Sequence, residues 1–158
     1  MKKEYKKFAI KLAKKSGKMI RDNFSLGINT EWKDNDEGPV TKIDLAVNKL
    51  LLETIKKKFP EHGIISEEGS DCQGNEEYKW VCDPIDGTVS FSHGVATSVF
   101  SIALVKDGQP ILGVVYDPFL KRMFTAEKGQ GTFLNNKRIK VSDIKVIKNS
   151  VVQDSPWN

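Results

Sequence analysis

The chain has 158 residues, of which 39% are hydrophobic and 29% charged, as is typical of one globular domain large enough to bury its own core. No apolar run approaches the roughly 18–20 residues of a membrane-spanning helix, and the lysine-rich start lacks the apolar stretch of a secretory signal. The only two cysteines, Cys72 and Cys82, have no histidine neighbours and indicate neither a zinc site nor a disulfide framework. We therefore expect a cytoplasmic protein with no membrane partner.

The net charge of +4 comes from the amino-terminal segment. Residues 1–24 hold nine Lys or Arg against two acidic residues and carry +7, whereas the rest of the chain carries −3. From residue 3 to residue 24, apolar side chains recur at i, i+3 and i+4 spacing, which predicts an amphipathic helix packed on the domain. A mitochondrial presequence and a contact with nucleic acid or a membrane are the alternatives, and the acidic residues disfavour the presequence.

A second helix and a series of short strands are predicted next. After a polar, turn-rich loop at 31–39, apolar positions predict a helix from about Thr41 to Lys58, which Phe59 and Pro60 end. The predicted buried side of this helix consists of Ile43, Val47, Leu50, Leu51 and Ile55. Short β-type runs separated by Gly, Asp or Asn follow at 63–66, 78–82, 98–105, 111–116, 123–126 and 131–134.

Turn signals between these runs predict how the strands pair. Residues 106–109 (KDGQ) and 135–137 (NNK) each separate two β-type runs in the manner of a hairpin turn. Sequential hairpins produce an antiparallel sheet. We therefore predict a single α+β domain over residues 1–158, with two helices packed on one face of a largely antiparallel sheet.

The segment DPIDGT at residues 83–88 carries the strongest chemical signal. It places Asp83 and Asp86 at the end of an apolar run, and Gly87 and Thr88 offer backbone N–H groups that could face a phosphate. Hard oxygen ligands beside an anion-binding turn are typical of a magnesium-dependent phosphate enzyme. The structural alternative is an ordinary turn, since Asp-Pro and Asp-Gly are common turn dipeptides.

Acidic residues at a second strand end could join this segment. Glu67 and Glu68 directly follow the apolar pair at 64–65. If the two strands are neighbours, Glu67 would share a metal cluster with Asp83 and Asp86. A solvent-facing turn is the alternative for both glutamates.

Two more candidates each have a structural alternative. Asp44 stands three residues after Thr41, which is the spacing of a capping box at the start of the second helix. Thr88 follows Asp-Gly and could simply cap the next turn. The local sequence leaves both the structural and the catalytic interpretation open.

Several motifs occur together in order and at compatible spacing. They are Val40-Thr41 with Asp44, ISEE at 65–68, WVCDPIDGT at 80–88, GVVYDP at 113–118 and KGQGTFLN at 128–135. With these motifs the chain resembles the inositol monophosphatase family of magnesium-dependent, lithium-sensitive phosphatases. The resemblance implies a part of an αβαβα layered sandwich, Mg²⁺ as the cofactor, a small phosphorylated substrate and a homodimer.

The resemblance also implies a role for each candidate residue. The implied metal ligands are Glu67, Asp83, the backbone carbonyl of Ile85, and Asp86. Gly87 and Thr88 would present N–H groups to the phosphate, with residues 85–86 beside it, and Lys33 would help to close the site. Thr88 paired with Asp44, together with Glu67, would orient a metal-activated water for hydrolysis without a phosphoenzyme.

The implied reaction is hydrolysis of a small phosphate monoester, most simply myo-inositol 1-phosphate to inositol and phosphate. Histidinol phosphate, fructose bisphosphate and 3′-phosphoadenosine nucleotides are alternative substrates. His93 could act as a general acid, and an ordinary surface role is the alternative. A non-catalytic binding protein that contacts RNA or a polymerase through the basic first helix is the alternative of a different class, although nucleic acid is not the expected partner.

The sequence departs from the family pattern at three places. Ser90 stands where members often have Asn, and Ile43 stands where they often have Thr; neither position has to bind a metal. Members usually continue into a second half with a Trp-Asp motif whose Asp completes a metal site, and no Trp-Asp pair occurs here. The resemblance therefore implies an amino-terminal half with weak magnesium binding, little turnover and an exposed apolar flank.

Overall fold

The computed structural model describes residues 3–26, 30–32, 39–69 and 75–151. Three α-helices are present in this part of the chain: α1 (Lys3–Asp22), α2 (Lys42–Lys58) and α3 (Thr88–Ser92). The strands are β1 (Thr30–Trp32), β2 (Pro39–Thr41), β3 (His62–Ser66), β4 (Asn75–Asp86), β5 (Val99–Lys106), β6 (Gln109–Asp117), β7 (Arg122–Glu127), β8 (Gly131–Leu134) and β9 (Lys137–Ile139). A short 3₁₀ turn, Ile147–Asn149, follows the last strand.

The amphipathic pattern of the amino-terminal segment forms helix α1, as predicted. Its apolar side is buried at Tyr5, Ala9, Leu12, Ala13 and Ile20. Gly17 lets the helix approach the sheet closely, because a Cβ added there would lie 2.5 Å from the ring of Tyr116. Burial of this one side supplies most of the stability of such a helix.

Helix α2 begins at a capping box, because the Thr41 hydroxyl accepts from the backbone N–H of Asp44 while the Asp44 carboxylate accepts from the N–H of Thr41. Val47, Leu51 and Ile55 are fully buried, as predicted. Ile43 and Leu50 also pack against the core, but they are only partly buried. The polar side chains of Asp44 and Asn48 take part of the buried face instead, because each has hydrogen-bond partners there.

The sheet has seven strands in the order β3-β4-β5-β6-β7-β8-β9. All neighbours pair antiparallel except β3 and β4, which are parallel. The predicted turn at 106–109 joins β5 to β6, with Asp107 and Gly108 in the left-handed region. The predicted α+β class with a largely antiparallel sheet is therefore confirmed.

The two faces of the sheet differ in their cover. Trp80, Leu104 and Val114 point toward α1 and α2 and are 0–1% exposed. On the opposite face, which we call the bare face, Ile65, Val81 and Val115 are 36–43% exposed. The apolar flank expected from the sequence is therefore present, and the helices of the described residues include none long and apolar enough to cross a membrane.

Candidate active site

The parallel pairing of β3 with β4 brings two candidate carboxylates together. Ser66 lies opposite Cys82 in the register, so Glu67 and Asp83 are the next residues on the two strands. The backbone N–H of Glu67 donates to the carbonyl of Cys82 at 3.2 Å, which fixes the end of β3 beside Asp83. Two strands running in the same direction thus deliver two acids to one edge of the sheet.

The Asp83 carboxyl group is in an unusual electrostatic position. Burial raises its pKa to about 8, and the hydrogen-bonded carboxyl group of Glu67 and the charge of Asp86 act in the same direction. A hydrogen bond between two carboxyl groups requires a proton on one of them. The atom Oδ1 of Asp83 is buried and has no hydrogen-bond partner among the described residues. A cation would relieve both the repulsion and the missing contact.

The candidate ligands are the carboxylates of Glu67, Asp83 and Asp86 and the backbone carbonyl of Ile85. Such oxygen ligands fit a hard divalent cation. The pairing of β4 with β5 is irregular between Asp83 and Asp86, and Asp86 lies directly after this irregularity. Within the described residues, no three His, Cys, Asp or Glu side chains already surround one cation position. The shared cluster of Glu67, Asp83 and Asp86 therefore stays a prediction, and the fit rests on the Glu67–Asp83 pair and the unpartnered Oδ1.

The turn after β4 requires glycine. Gly87 has a φ of +94°, a conformation that L side chains rarely adopt, and an added Cβ would lie 3.4 Å from Oγ of Ser98. Ser98 is fully buried, and its hydroxyl donates to the carbonyl of Gly87 at 2.8 Å. Helix α3 starts at Thr88, and the N–H groups of a first helical turn have no acceptor inside the helix. These groups are available to an anion.

Asp44 and Thr88 meet although they are far apart in sequence. The Thr88 hydroxyl lies within hydrogen-bond distance of two acceptors, Oδ1 of Asp44 at 3.1 Å and the carbonyl of Ile85 at 2.9 Å. Oδ2 of Asp44 accepts from the backbone N–H of Thr41 at 2.9 Å and from the Thr41 hydroxyl. Burial raises the pKa of Asp44, while the hydrogen bonds from Thr41 and Thr88 act against this shift. The capping role and the contact with Thr88 therefore coexist in one carboxylate.

Comparison with known proteins agrees with this geometry. The family model described as "Inositol monophosphatase family" matches residues 1–157 of the chain. The chain belongs to the inositol monophosphatase family. Its α+β layer corresponds to part of the αβαβα sandwich of the structural neighbours in this family.

The relatives of this family member bear names that indicate different functions. A fructose-1,6-bisphosphatase/inositol-1-monophosphatase of Thermotoga maritima is 38% identical over 86% of the chain and 52% of its own length. The Nus factor SuhB of Vibrio cholerae is 37% identical over 91% of the chain and 55% of its own length. A solved Thermotoga maritima IMPase structure superposes with a TM-score of 0.82 at 37% identity, covering 89% of the chain and 54% of that structure. The chain spans about half the length of the curated relatives it matches.

The carboxylates of this family member lie at the border of the bare face. Glu67 and Asp83 line a shallow cavity of about 510 Å³ together with Ile65, Val81 and Val115 of that face. Polar and apolar surface therefore form one continuous concavity. Whatever covers the bare face would also adjoin the candidate site.

Three positioning residues escaped the sequence interpretation. The Ser66 hydroxyl donates to Oδ1 of Asn48 at 2.8 Å, which ties the end of β3 to helix α2, and Ser98 holds the turn at Gly87 as described above. Asn48 could have been found, because it stands four residues after Asp44 on the same buried side of α2. Ser98 carries no comparable signal, since a serine at the start of a strand is common.

Three further candidates remain. Lys33 lies outside the described residues, so its role stays a prediction. Glu68 is half-buried next to Glu67, and the ring atom Nδ1 of His93 lies 2.8 Å from the carbonyl of Val89 in its own helix. Burial raises the pKa of the Cys82 thiol, so this side chain stays a neutral part of the core.

Proposed function

We propose that this chain carries the metal and phosphate site of a Mg²⁺-dependent phosphatase that hydrolyses a small phosphate monoester, with myo-inositol 1-phosphate as the first candidate substrate. The observation that carries the proposal is the Glu67–Asp83 pair, with Oδ1 of Asp83 buried and unpartnered beside the turn at Gly87. Two adjacent carboxylates without a cation repel each other, and the buried Oδ1 of Asp83 lacks a polar partner among the described residues. Membership in a family that contains phosphatases supports the reaction class.

Mg²⁺ would be held by the carboxylates of Glu67, Asp83 and Asp86 and by the carbonyl oxygen of Ile85. When bound, it would offset the negative charge of the ester and lower the pKa of a water molecule. The carbonyl oxygen of Ile85 lies 2.9 Å from the Thr88 hydroxyl and has two lone pairs, so it can also bind a cation. No side chain of this set needs to become covalently bound to the phosphoryl group.

The chain's own groups would bind and orient the ester. The N–H groups of Gly87 and Thr88 would donate to phosphoryl oxygens, which the left-handed backbone at Gly87 allows. The Thr88 hydroxyl would accept from the attacking water while it donates to Asp44, whose carboxylate the capping box keeps in place. Lys33 is proposed to close the site over the substrate.

We further propose that the chain corresponds to the amino-terminal half of such a phosphatase and turns over slowly by itself. The relatives are about twice as long, and the bare face adjoins the carboxylates. A polypeptide layer on that face would exclude water and add contacts to the alcohol part of the ester. Fructose bisphosphate, histidinol phosphate and 3′-phosphoadenosine nucleotides are the substrates to compare with inositol phosphate.

The proposal is tested by phosphate release with and without Mg²⁺ from the four candidate esters. We expect slow, Mg²⁺-dependent release that Asp83→Asn abolishes and that Asp107→Asn leaves unchanged, since Asp107 lies in an exposed hairpin turn. Adding a separately produced carboxyl-terminal half of a relative should raise the rate. Release that is insensitive to Mg²⁺ or to Asp83→Asn would show that the chemistry occurs elsewhere.

A non-catalytic function is the second candidate, because one relative bears the name Nus factor. Family membership alone therefore does not restrict the chain to ester hydrolysis. The feature of this chain that favours a binding function is the basic surface of α1.

A further inference from the structure

A groove separates the exposed sides of α1 and α2, on the side of the domain away from the carboxylates. Its volume is about 920 Å³, and apolar side chains form its floor while charged side chains form its rim. The floor consists of Phe8, Leu12 and Leu50. The described residues of the rim are Lys3, Glu4, Lys7, Lys11, Lys15, Glu53, Thr54, Lys57 and Lys58.

The floor is a preformed apolar surface. Phe8 is held by two rings of the core, with centroid distances of 4.9 Å to Phe59 and 5.4 Å to Trp80. Leu50 belongs to the side of α2 that the sequence predicts as buried, yet it stays partly exposed in this groove. A side chain that entered the groove would therefore meet apolar atoms that need no rearrangement.

The rim carries a row of lysines without acidic partners. Lys7, Lys11 and Lys15 are exposed and form no salt bridge with any residue that the structure describes. Other lysines of the same helix are paired: Lys6 with Glu127 at 2.8 Å, and Lys18 with Asp22. Among the described residues, the lysines of α1 without an acidic partner therefore line the groove, with the exception of Lys14.

The spacing of these lysines matches a helical partner. Residues four apart on a helix repeat about every 6 Å along its axis, so the row presents cations at one regular interval. We propose that the groove between α1 and α2 binds an acidic amphipathic helix of a protein partner, with its apolar side on the partly exposed Phe8 and Leu50 and its carboxylates on the lysine row. Helices that bind in grooves use apolar anchors at i, i+3 or i+4, and i+7, and the lysines select acidic flanks.

The groove favours a protein over RNA for two reasons. The ring of Phe8 packs on Phe59 and Trp80 and is poorly placed for stacking on a base. The chain beyond residue 24 carries −3, so the excess of positive charge that a polyanion requires is confined to the first 24 residues.

The test uses a fluorescent helical peptide with leucines at i, i+4 and i+7 and glutamates beside them, followed by fluorescence anisotropy. The triple variant Lys7→Glu/Lys11→Glu/Lys15→Glu should bind the peptide about tenfold more weakly or worse, because three attractions become repulsions. The matched control Lys14→Glu/Lys49→Glu/Lys56→Glu changes the net charge equally at exposed positions of the same helices that do not line the groove. It should change the affinity by less than about threefold.

Further measurements distinguish binding in the groove from nonspecific charge attraction and from binding at the phosphatase site. A peptide with serines in place of the leucines should bind more weakly, and Asp83→Asn should leave peptide binding unchanged. The milder triple variant Lys7→Gln/Lys11→Gln/Lys15→Gln, checked by thermal unfolding, replaces the charge reversal if that variant does not fold. Equal losses in the groove and control triples, equal binding of the serine peptide, or tighter binding of a single-stranded RNA of equal charge would each overturn the proposal.

Discussion

The two faces of the sheet differ in role: the helix-covered face stabilises the fold, and the bare face borders the candidate active site. On the helix-covered face Trp80, Leu104 and Val114 are 0–1% exposed and pack beneath α1 and α2. On the bare face Ile65, Val81 and Val115 keep 36–43% of their surface exposed, and Glu67 and Asp83 line the same cavity. Alternation along a strand assigns residues to two faces, but only the packing of other elements decides which face is buried.

The largest expected difference in stability is between two truncations at adjacent positions of β4. Trp80→Ala should lower the free energy of unfolding by about 3–5 kcal/mol, because it opens a cavity under both helices. Val81→Ala, one residue later on the bare face, should cost less than about 1 kcal/mol. Urea denaturation of both variants measures the difference, and equal losses would mean that both faces are buried.

The next largest effect on stability is expected at Asp44, whose carboxylate caps α2 and also contacts Thr88 at the start of α3. Asp44→Ala removes the capping box and the contact with Thr88, so it should lower the free energy of unfolding by about 1–3 kcal/mol. Lys42→Ala is the control in the same helical turn, since Lys42 is exposed. Thermal and urea unfolding distinguish them. Similar values for the two variants would contradict the buried role of Asp44.

A smaller effect is expected at the phosphate turn. Gly87→Ala and Gly108→Ala both force a left-handed backbone on alanine, which should cost each about 1 kcal/mol. A Cβ at Gly108 meets no atom within 4 Å, whereas one at Gly87 approaches Ser98. Binding of inorganic phosphate in the presence of Mg²⁺ should therefore weaken for Gly87→Ala alone. Loss of phosphate binding in both variants would disconnect this turn from the anion.

The sequence predicted most of the fold, because local periodicity and turn residues determine α1, α2 and the hairpins. It also predicted that Glu67 and Asp83 follow two apolar runs, although β4 continues past Asp83 to Asp86. The parallel pairing of β3 with β4, the unpartnered Oδ1 of Asp83 and the support from Ser98 depend on contacts between distant segments, so no local pattern records them. Leu50 illustrates the same limit, since its spacing indicated burial, whereas the packing of α1 and α2 leaves it partly exposed at the groove.

The last prediction is a pH dependence of the stability, which arises from Asp83 beside the bare face. The pKa of Asp83 rises from 3.8 to about 8 on folding, so the unfolded chain releases this proton at lower pH than the folded chain. The metal-free protein should therefore lose stability as the pH rises from about 4 to 8. Asp83→Asn should reduce this slope, which urea denaturation at several pH values measures. An unchanged slope would assign the pH dependence to other groups.

Calorimetric titration of Mg²⁺ at pH 7 in buffers of different ionisation enthalpy tests the metal site most directly. Because the Asp83 carboxyl group has a pKa of about 8, Mg²⁺ should displace a proton from the Glu67–Asp83 pair on binding. We predict that Asp83→Asn weakens Mg²⁺ binding and removes this proton release, whereas Asp107→Asn keeps both. Binding and proton release that survive Asp83→Asn would contradict the assignment of the cation to the Glu67–Asp83 pair.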